Sequence, residues 1–90
     1  RGGRLAFGLR EAARGNYAEA ARLLRGVDRE RLWYAISWAA HPEPKLVVPE
    51  SARPAYERFL VDFTRAYGAA DMKGLGLALD ELASALEALR

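Results

Sequence analysis

The chain has 90 residues, a net charge of +2 and 51% hydrophobic residues. This length fits a single domain, and the hydrophobic content is enough for a core, so we do not expect a disordered chain. Because cysteine is absent, disulfides and thiolate metal sites are excluded, and a reducing compartment is favoured, which we expect to be the cytoplasm. We recognise no signal-peptide pattern and no membrane-spanning segment, although the first residue is arginine rather than methionine.

Arginine is much more frequent than lysine in this chain, and glutamine is absent. Asparagine and methionine each occur once. Few thermolabile residues and many charged ones are typical of heat-adapted proteins, so we expect a thermophilic source. A GC-rich genome would also favour arginine.

An N-terminal helical hairpin is predicted over residues 4–26. Leucine and alanine recur at helical spacing over residues 4–14, and Gly15 follows as a stop signal. Asn16 is a suitable N-cap for a second helix, and Glu19 lies at the position that completes a capping box. Since the connection is only one or two residues long, the two helices should lie antiparallel.

Residues 15–20, Gly-Asn-Tyr-Ala-Glu-Ala, resemble the turn and second-helix start of a tetratricopeptide repeat. Gly8 fits the small residue at which the two helices of such a unit cross closely. Phe7, Tyr17 and Ala20 match packing positions of the pattern in kind. The resemblance implies one unit within residues 4–26, with a helical hairpin as its fold.

The chain departs from that family in four respects, one of which is that Leu32 stands where a proline after the second helix is usual. Arg4 stands where an early tryptophan is usual, and no second repeat follows, although one repeat cannot bury its own face. Leu5 and Leu9 stand where members that bind a carboxylate carry Lys and Asn, which argues against that binding mode.

The most hydrophobic stretch of the chain is Leu32–Ala40, where only one residue is plainly polar. Such a stretch is typical of a buried helix, and nine residues are too few to cross a bilayer. We therefore predict a central aromatic helix over 28–41. The proline-rich segment 42–50 should be an extended crossover, with Leu46 to Val48 against the core.

A C-terminal hairpin is predicted over residues 51–90. Its first helix should begin at Ser51, bury an aromatic stripe that includes Phe59 and Phe63, and end at Gly68. Its second helix should be capped by Asp71. That helix carries a seam at the 3-4 spacing of helix–helix packing, formed by Met72, Leu75, Leu79, Leu82, Leu86 and Leu89.

Taken together, these patterns predict one all-α domain over residues 1–90, a bundle of about five helices. Two antiparallel hairpins should surround the central aromatic helix. No residue pattern points to catalysis, a cofactor or a metal site: the single histidine, His41, has no second ligand beside it, and no phosphate-binding loop is present.

Arginines in the first third of the chain form a possible basic binding face. Residues 1–31 carry a net charge of +4 and residues 32–90 carry −2. This asymmetry could attract an acidic partner such as RNA or DNA, or it could be an ordinary solvated surface. The candidate residues are Arg10, Arg14, Arg22, Arg25 and Arg29.

The candidate interface residues for a protein partner are Trp33, Leu77 and Leu86. Exposed tryptophan is a frequent interface anchor, and Leu77 lies off the leucine seam of the last helix. We expect a homodimer through that helix, unless the seam packs inside the monomer. The favoured function is a non-enzymatic protein-interaction or structural module. The alternative is a small basic helical protein that binds RNA or DNA, for instance as a subunit of a nucleoprotein complex.

Overall fold

Four α-helices and one short 3-10 helix make up the part of the chain that the structure describes. The structure, a computed structural model, describes residues 3–27 and 47–89. Those residues contain no strand, which confirms the all-α prediction for them. The predicted central helix 28–41 and residues 42–46 of the predicted crossover lie outside the described residues. The elements are α1 (Gly3–Ala13), α2 (Tyr17–Arg25), a 3-10 helix (Glu50–Ala52), α3 (Arg53–Gly68) and α4 (Met72–Glu87).

The first two helices form an antiparallel pair joined by a tight turn. Gly15 has a φ of +84°, in the left-handed region that glycine adopts most readily. The Asn16 amide donates to the Glu11 carbonyl oxygen at 2.9 Å, and the Gly15 amide donates to the Ala12 carbonyl oxygen at 3.1 Å. The stop predicted at Gly15 is therefore confirmed, and these bonds satisfy carbonyls that the end of α1 leaves free.

The crossing of α1 over α2 is close at Gly8. A Cβ atom at this position would lie 2.8 Å from Cδ2 and 2.9 Å from Cγ of Leu24. Since Leu24 is fully buried, its side chain has little room to move away. A residue without a side chain thus lets the two helices pack with Leu24 between them.

The second hairpin, α3 and α4, is built with larger side chains. Phe59 and Phe63 are both buried, with ring centroids 5.0 Å apart, one turn from each other on α3. The aromatic stripe predicted for this helix is confirmed at both. The predicted start at Ser51 was early, since residues 50–52 form a 3-10 turn and α3 begins at Arg53. A proline is compatible with its first turn because Pro54 needs no hydrogen-bond acceptor there.

The described helices pack in the order α1, α2, α4, α3, with α2 and α4 in the middle. Both middle helices bury wide faces: Ala20, Ala21 and Leu24 of α2 are buried, and α4 buries most of its length. Among the described residues, these two helices occupy the inner positions. The buried part of α4 comprises Leu75, Gly76, Ala78, Leu79, Leu82, Ala83 and Leu86.

Two local predictions in these segments were wrong, concerning the capping box and the crossover. The capping box is not formed, because Asn16 Nδ2 donates to Glu11 Oε2 at 2.9 Å and the Glu19 carboxylate pairs with Arg22. The predicted end of α3 at Gly68 is confirmed, and the left-handed conformation of the following turn falls on Ala70, with a φ of 55°. In the crossover, Val48 is buried as expected, but Val47 is exposed.

Candidate interaction surface

The outer face of α4 carries a shallow apolar depression around Leu77. Leu77 is 60% exposed, and it borders a surface depression of about 430 Å³. We call this surface the Leu77 site. Its lining residues are Met72, Lys73, Gly76, Leu77 and Asp80.

The position of the Leu77 site follows from the burial of the opposite face of α4. Leu75 and Leu79 are fully buried, so Leu77, two residues from each, must point away from the core. Gly76 is buried but has no side chain to fill the space beside Leu77. A half-buried Met72 borders the same depression. The result is an apolar surface bordered by the charged side chains of Lys73 and Asp80.

The predicted interface residues do not lie on one surface. Leu86 is 1% exposed and packs in the core, so it is not available to a partner of the folded chain. Leu75, Leu79 and Leu82 of the predicted seam are buried in the same way. The seam is therefore covered within the monomer. This was the alternative that the sequence left open beside a dimer formed through the seam. Leu77, which the sequence places off the seam, is exposed, and Trp33 lies outside the described residues.

Two further large apolar side chains are exposed on other helices. Phe7 on α1 is 59% exposed, although its match to the repeat pattern implied packing; it points away from Leu5 and Leu9, which are buried. Val61 on α3 is 55% exposed. The sequence analysis did not identify either residue as exposed. Their exposure could have been predicted, because each lies between two positions that the helical periodicity assigns to the buried face.

A second concavity lies between α3 and α4. It has a volume of about 270 Å³, and alanines from both helices leave the space open. Arg58 borders it, with Nε 3.7 Å from Asp62 Oδ2 and an Nη2 atom 3.9 Å from Glu81 Oε2. These long, exposed ion pairs contribute little to stability. The groove is more polar at its border than the Leu77 site.

The predicted basic face is largely paired with carboxylates. Arg22 donates two hydrogen bonds to Glu19, at 2.8 and 2.6 Å. These bonds hold the pKa of the Glu19 carboxyl below its usual value and raise the pKa of Arg22. Arg14 pairs with Glu11 at 3.4 Å. Arg10 is exposed on α1.

Arg25 joins the basic N-terminal part to the acidic C-terminal part of the chain. It donates to Glu87 Oε1 at 2.6 Å and to Ser84 Oγ at 3.1 Å, across the contact between α2 and α4. The hydrogen bond to Glu87 raises the pKa of Arg25, and the nearby charge of Asp80 acts in the same direction. Part of the positive charge of the N-terminal region is thus paired with negative charge of the C-terminal region of the same chain. Arg29, the last candidate of the basic face, lies outside the described residues.

Residues 3–27 and 47–89 contain neither a metal-binding cluster nor a membrane-spanning helix. No three His, Cys, Asp or Glu side chains come together there as metal ligands. No helix in that part of the chain combines the length and hydrophobicity that a membrane span requires.

Comparison with protein-family models, curated proteins and solved structures gave no match. The resemblance of residues 15–20 to a tetratricopeptide-repeat turn therefore stays a prediction.

Proposed function

We propose that this protein is a non-enzymatic helical module that binds another protein chain through the Leu77 site. The observation that carries the proposal is the exposure of Leu77 beside Met72 and the side-chain-free Gly76. An apolar depression with a charged border is typical of protein-contact surfaces, where a partner's apolar side chain is desolvated at the centre and polar groups remain at the rim. The proposal involves no cofactor and places the protein in the cytoplasm.

The pairing of the arginines favours this function over nucleic-acid binding. Phosphate contacts require basic side chains that can exchange their counterions for phosphates. Arg14, Arg22 and Arg25 each have a carboxylate within 3.4 Å, so their positive charge is already compensated locally. A phosphate would have to compete with Glu11, Glu19 and Glu87 for these guanidinium groups.

The test compares three immobilised baits in an extract of the cells that make the protein: the unmodified chain, Leu77→Glu and Val61→Glu. Val61 is a matched control, because it is similarly exposed on the neighbouring helix but lies outside the Leu77 site. We expect a protein that the unmodified chain and Val61→Glu retain and Leu77→Glu loses, with the same pattern when that protein is purified.

Two results would contradict the proposed function. One is that all three baits retain the same proteins. The other is a shift of labelled mixed-sequence RNA or DNA at about 50 mM salt that weakens steeply as salt rises, which would favour the nucleic-acid alternative.

A further inference from the structure

Four residues of the Leu77 site have the spacing of a coiled-coil hole. Lys73, Gly76, Leu77 and Asp80 occupy positions i, i+3, i+4 and i+7 of α4, the arrangement that receives one side chain of a facing helix. Gly76 contributes no side chain, so the hole is deeper than usual. Leu77, one corner of the same hole, projects outward and is itself of the size that fits such a hole.

The charges at the two ends of this hole are opposite. Lys73 lies at the end nearer the N-terminus of α4, and Asp80 lies at the end nearer its C-terminus. Two α4 helices running antiparallel, with a two-fold axis between Gly76 and Leu77, would place each Lys73 opposite the Asp80 of the other copy. A parallel pair would instead place like charges together, which is unfavourable.

We propose that the partner at the Leu77 site is a second copy of this chain, bound through an antiparallel, two-fold pair of α4 helices. This rests on the proposed function, since it names the partner of the same surface. Each Leu77 packs over Gly76 of the other copy, and two Lys73–Asp80 ion pairs border the contact. A two-fold pair is also the commonest closed arrangement of identical chains.

Asp80 can take part in this contact without leaving its present environment. It lies close enough to Arg25 for its charge to raise the pKa of that arginine. A carboxylate has two oxygens with about four acceptor positions, so it can accept from Lys73 of the other copy as well. Lys73 is exposed on the same face.

The association should be weak, because a contact around one helix face is smaller than a standard interface. We expect a dissociation constant on the order of 10–100 μM. Sedimentation or light scattering from about 10 μM to about 1 mM should therefore show the mass rising from 10.0 kDa towards twice that value.

Charge reversal tests the antiparallel geometry directly. Lys73→Asp and Asp80→Lys should each weaken self-association at least about tenfold, because each creates two like-charge contacts. An equimolar mixture of the two variants should associate again, since a pair of one variant with the other has opposite charges at both contacts, one with the original sign and one with its sign reversed. Val61→Glu should dimerise like the unmodified chain.

Circular dichroism checks that the variants fold. If Asp80→Lys unfolds because of its proximity to Arg25, Lys73→Asp and Leu77→Ala alone still decide, since both residues are exposed. Unchanged dimerisation in these two variants would overturn the proposal.

Two further results would also overturn it. One is a single 10.0 kDa species at every concentration. The other is a mixture of folded charge-reversed variants that stays monomeric. If the chain is monomeric but Leu77-dependent capture yields a different protein, only the second-copy proposal fails and the proposed function stands.

Discussion

Gly15 and Ala70 occupy the same place in two turns of the same backbone geometry. In both turns the residue with positive φ donates its amide to the carbonyl oxygen three residues earlier. The next residue donates its amide to the carbonyl oxygen five residues earlier, and this N···O distance is 2.9 Å for Asn16 and 2.8 Å for Asp71. The first turn uses glycine where glycine is favoured, whereas the second uses alanine. The backbone pattern is thus specified by the helices on either side as well as by the turn residue.

The hairpins differ also in how their helices pack. The first closes over Gly8 with the small residues Ala20 and Ala21, while the second packs the aromatic pair Phe59 and Phe63. Small residues allow close backbone approach, and aromatic ones bury more area at a larger separation. The N-terminal hairpin should therefore depend on close fit. The C-terminal hairpin combines its aromatic burial with one close approach, where a Cβ atom at Gly74 would lie 2.9 Å from the Ala66 Cβ.

The largest effects should come from truncating the core of either hairpin. Phe63→Ala should lower the free energy of unfolding by about 3–5 kcal/mol and Leu24→Ala by about 2–5 kcal/mol, since both side chains are fully buried. Urea unfolding would measure both. Val61→Ala, an exposed control, should change stability by less than about 0.5 kcal/mol. A loss below about 1 kcal/mol at Phe63 would mean that α3 does not pack as described.

Adding one methyl group should show how tight the helix crossing at Gly8 is. Gly8→Ala should destabilise by about 1 kcal/mol, because overpacking against Leu24 exceeds the gain in helix propensity. The double variant Gly8→Ala with Leu24→Val should lose less unfolding free energy than the two single variants lose together, because the shorter side chain leaves room for the added methyl group. Gly68→Ala is the control: its Cβ would meet nothing within 4 Å, so it should stabilise by about 0.5 kcal/mol. Equal gains at both glycines would show that the crossing is not tight.

Periodicity predicted the inner faces of the described helices well, because burial repeats every three to four residues. It could not predict which surface covers the seam of α4: Leu86 would look the same in sequence whether it faced α2, α3 or a second copy. The ion pair of Arg25 with Glu87 joins residues 62 positions apart, and no local pattern signals it. Leu77, in contrast, was identified because it falls off the seam.

Exchanging the turn residues tests whether the helices alone specify the turn. Gly15→Ala should destabilise the protein by about 1 kcal/mol, because alanine is strained at a positive φ. A steric clash would not contribute, since the added Cβ would meet nothing within 4 Å. Ala70→Gly should stabilise by about 0.5 kcal/mol, because relief of that strain exceeds the extra entropy of the unfolded chain. Thermal unfolding monitored by circular dichroism would measure both. A destabilised Ala70→Gly variant would contradict the positive φ at this residue.

The smallest expected difference concerns the two residues that precede α2 and α4. Asp71 Oδ1 accepts a hydrogen bond from the Gly74 amide at 3.0 Å, as the sequence predicted for this N-cap. Asn16 makes no such bond, since its side chain donates to Glu11 instead. Asp71→Ala should therefore lower the free energy of unfolding by about 1 kcal/mol, and Asn16→Ala by only a few tenths.

Substitution with serine sharpens this last test. Ser is an N-cap residue about as favourable as Asp, so Asp71→Ser should recover most of the stability that Asp71→Ala loses. At Asn16 the same change should recover little, because the backbone there has a ψ of 69°, outside the extended conformation in which the side chain normally reaches the first turn of the helix. Equal losses for the two alanine variants, with equal recovery by serine, would mean that both turns are capped alike. The two turns would then differ only in Gly15 and Ala70.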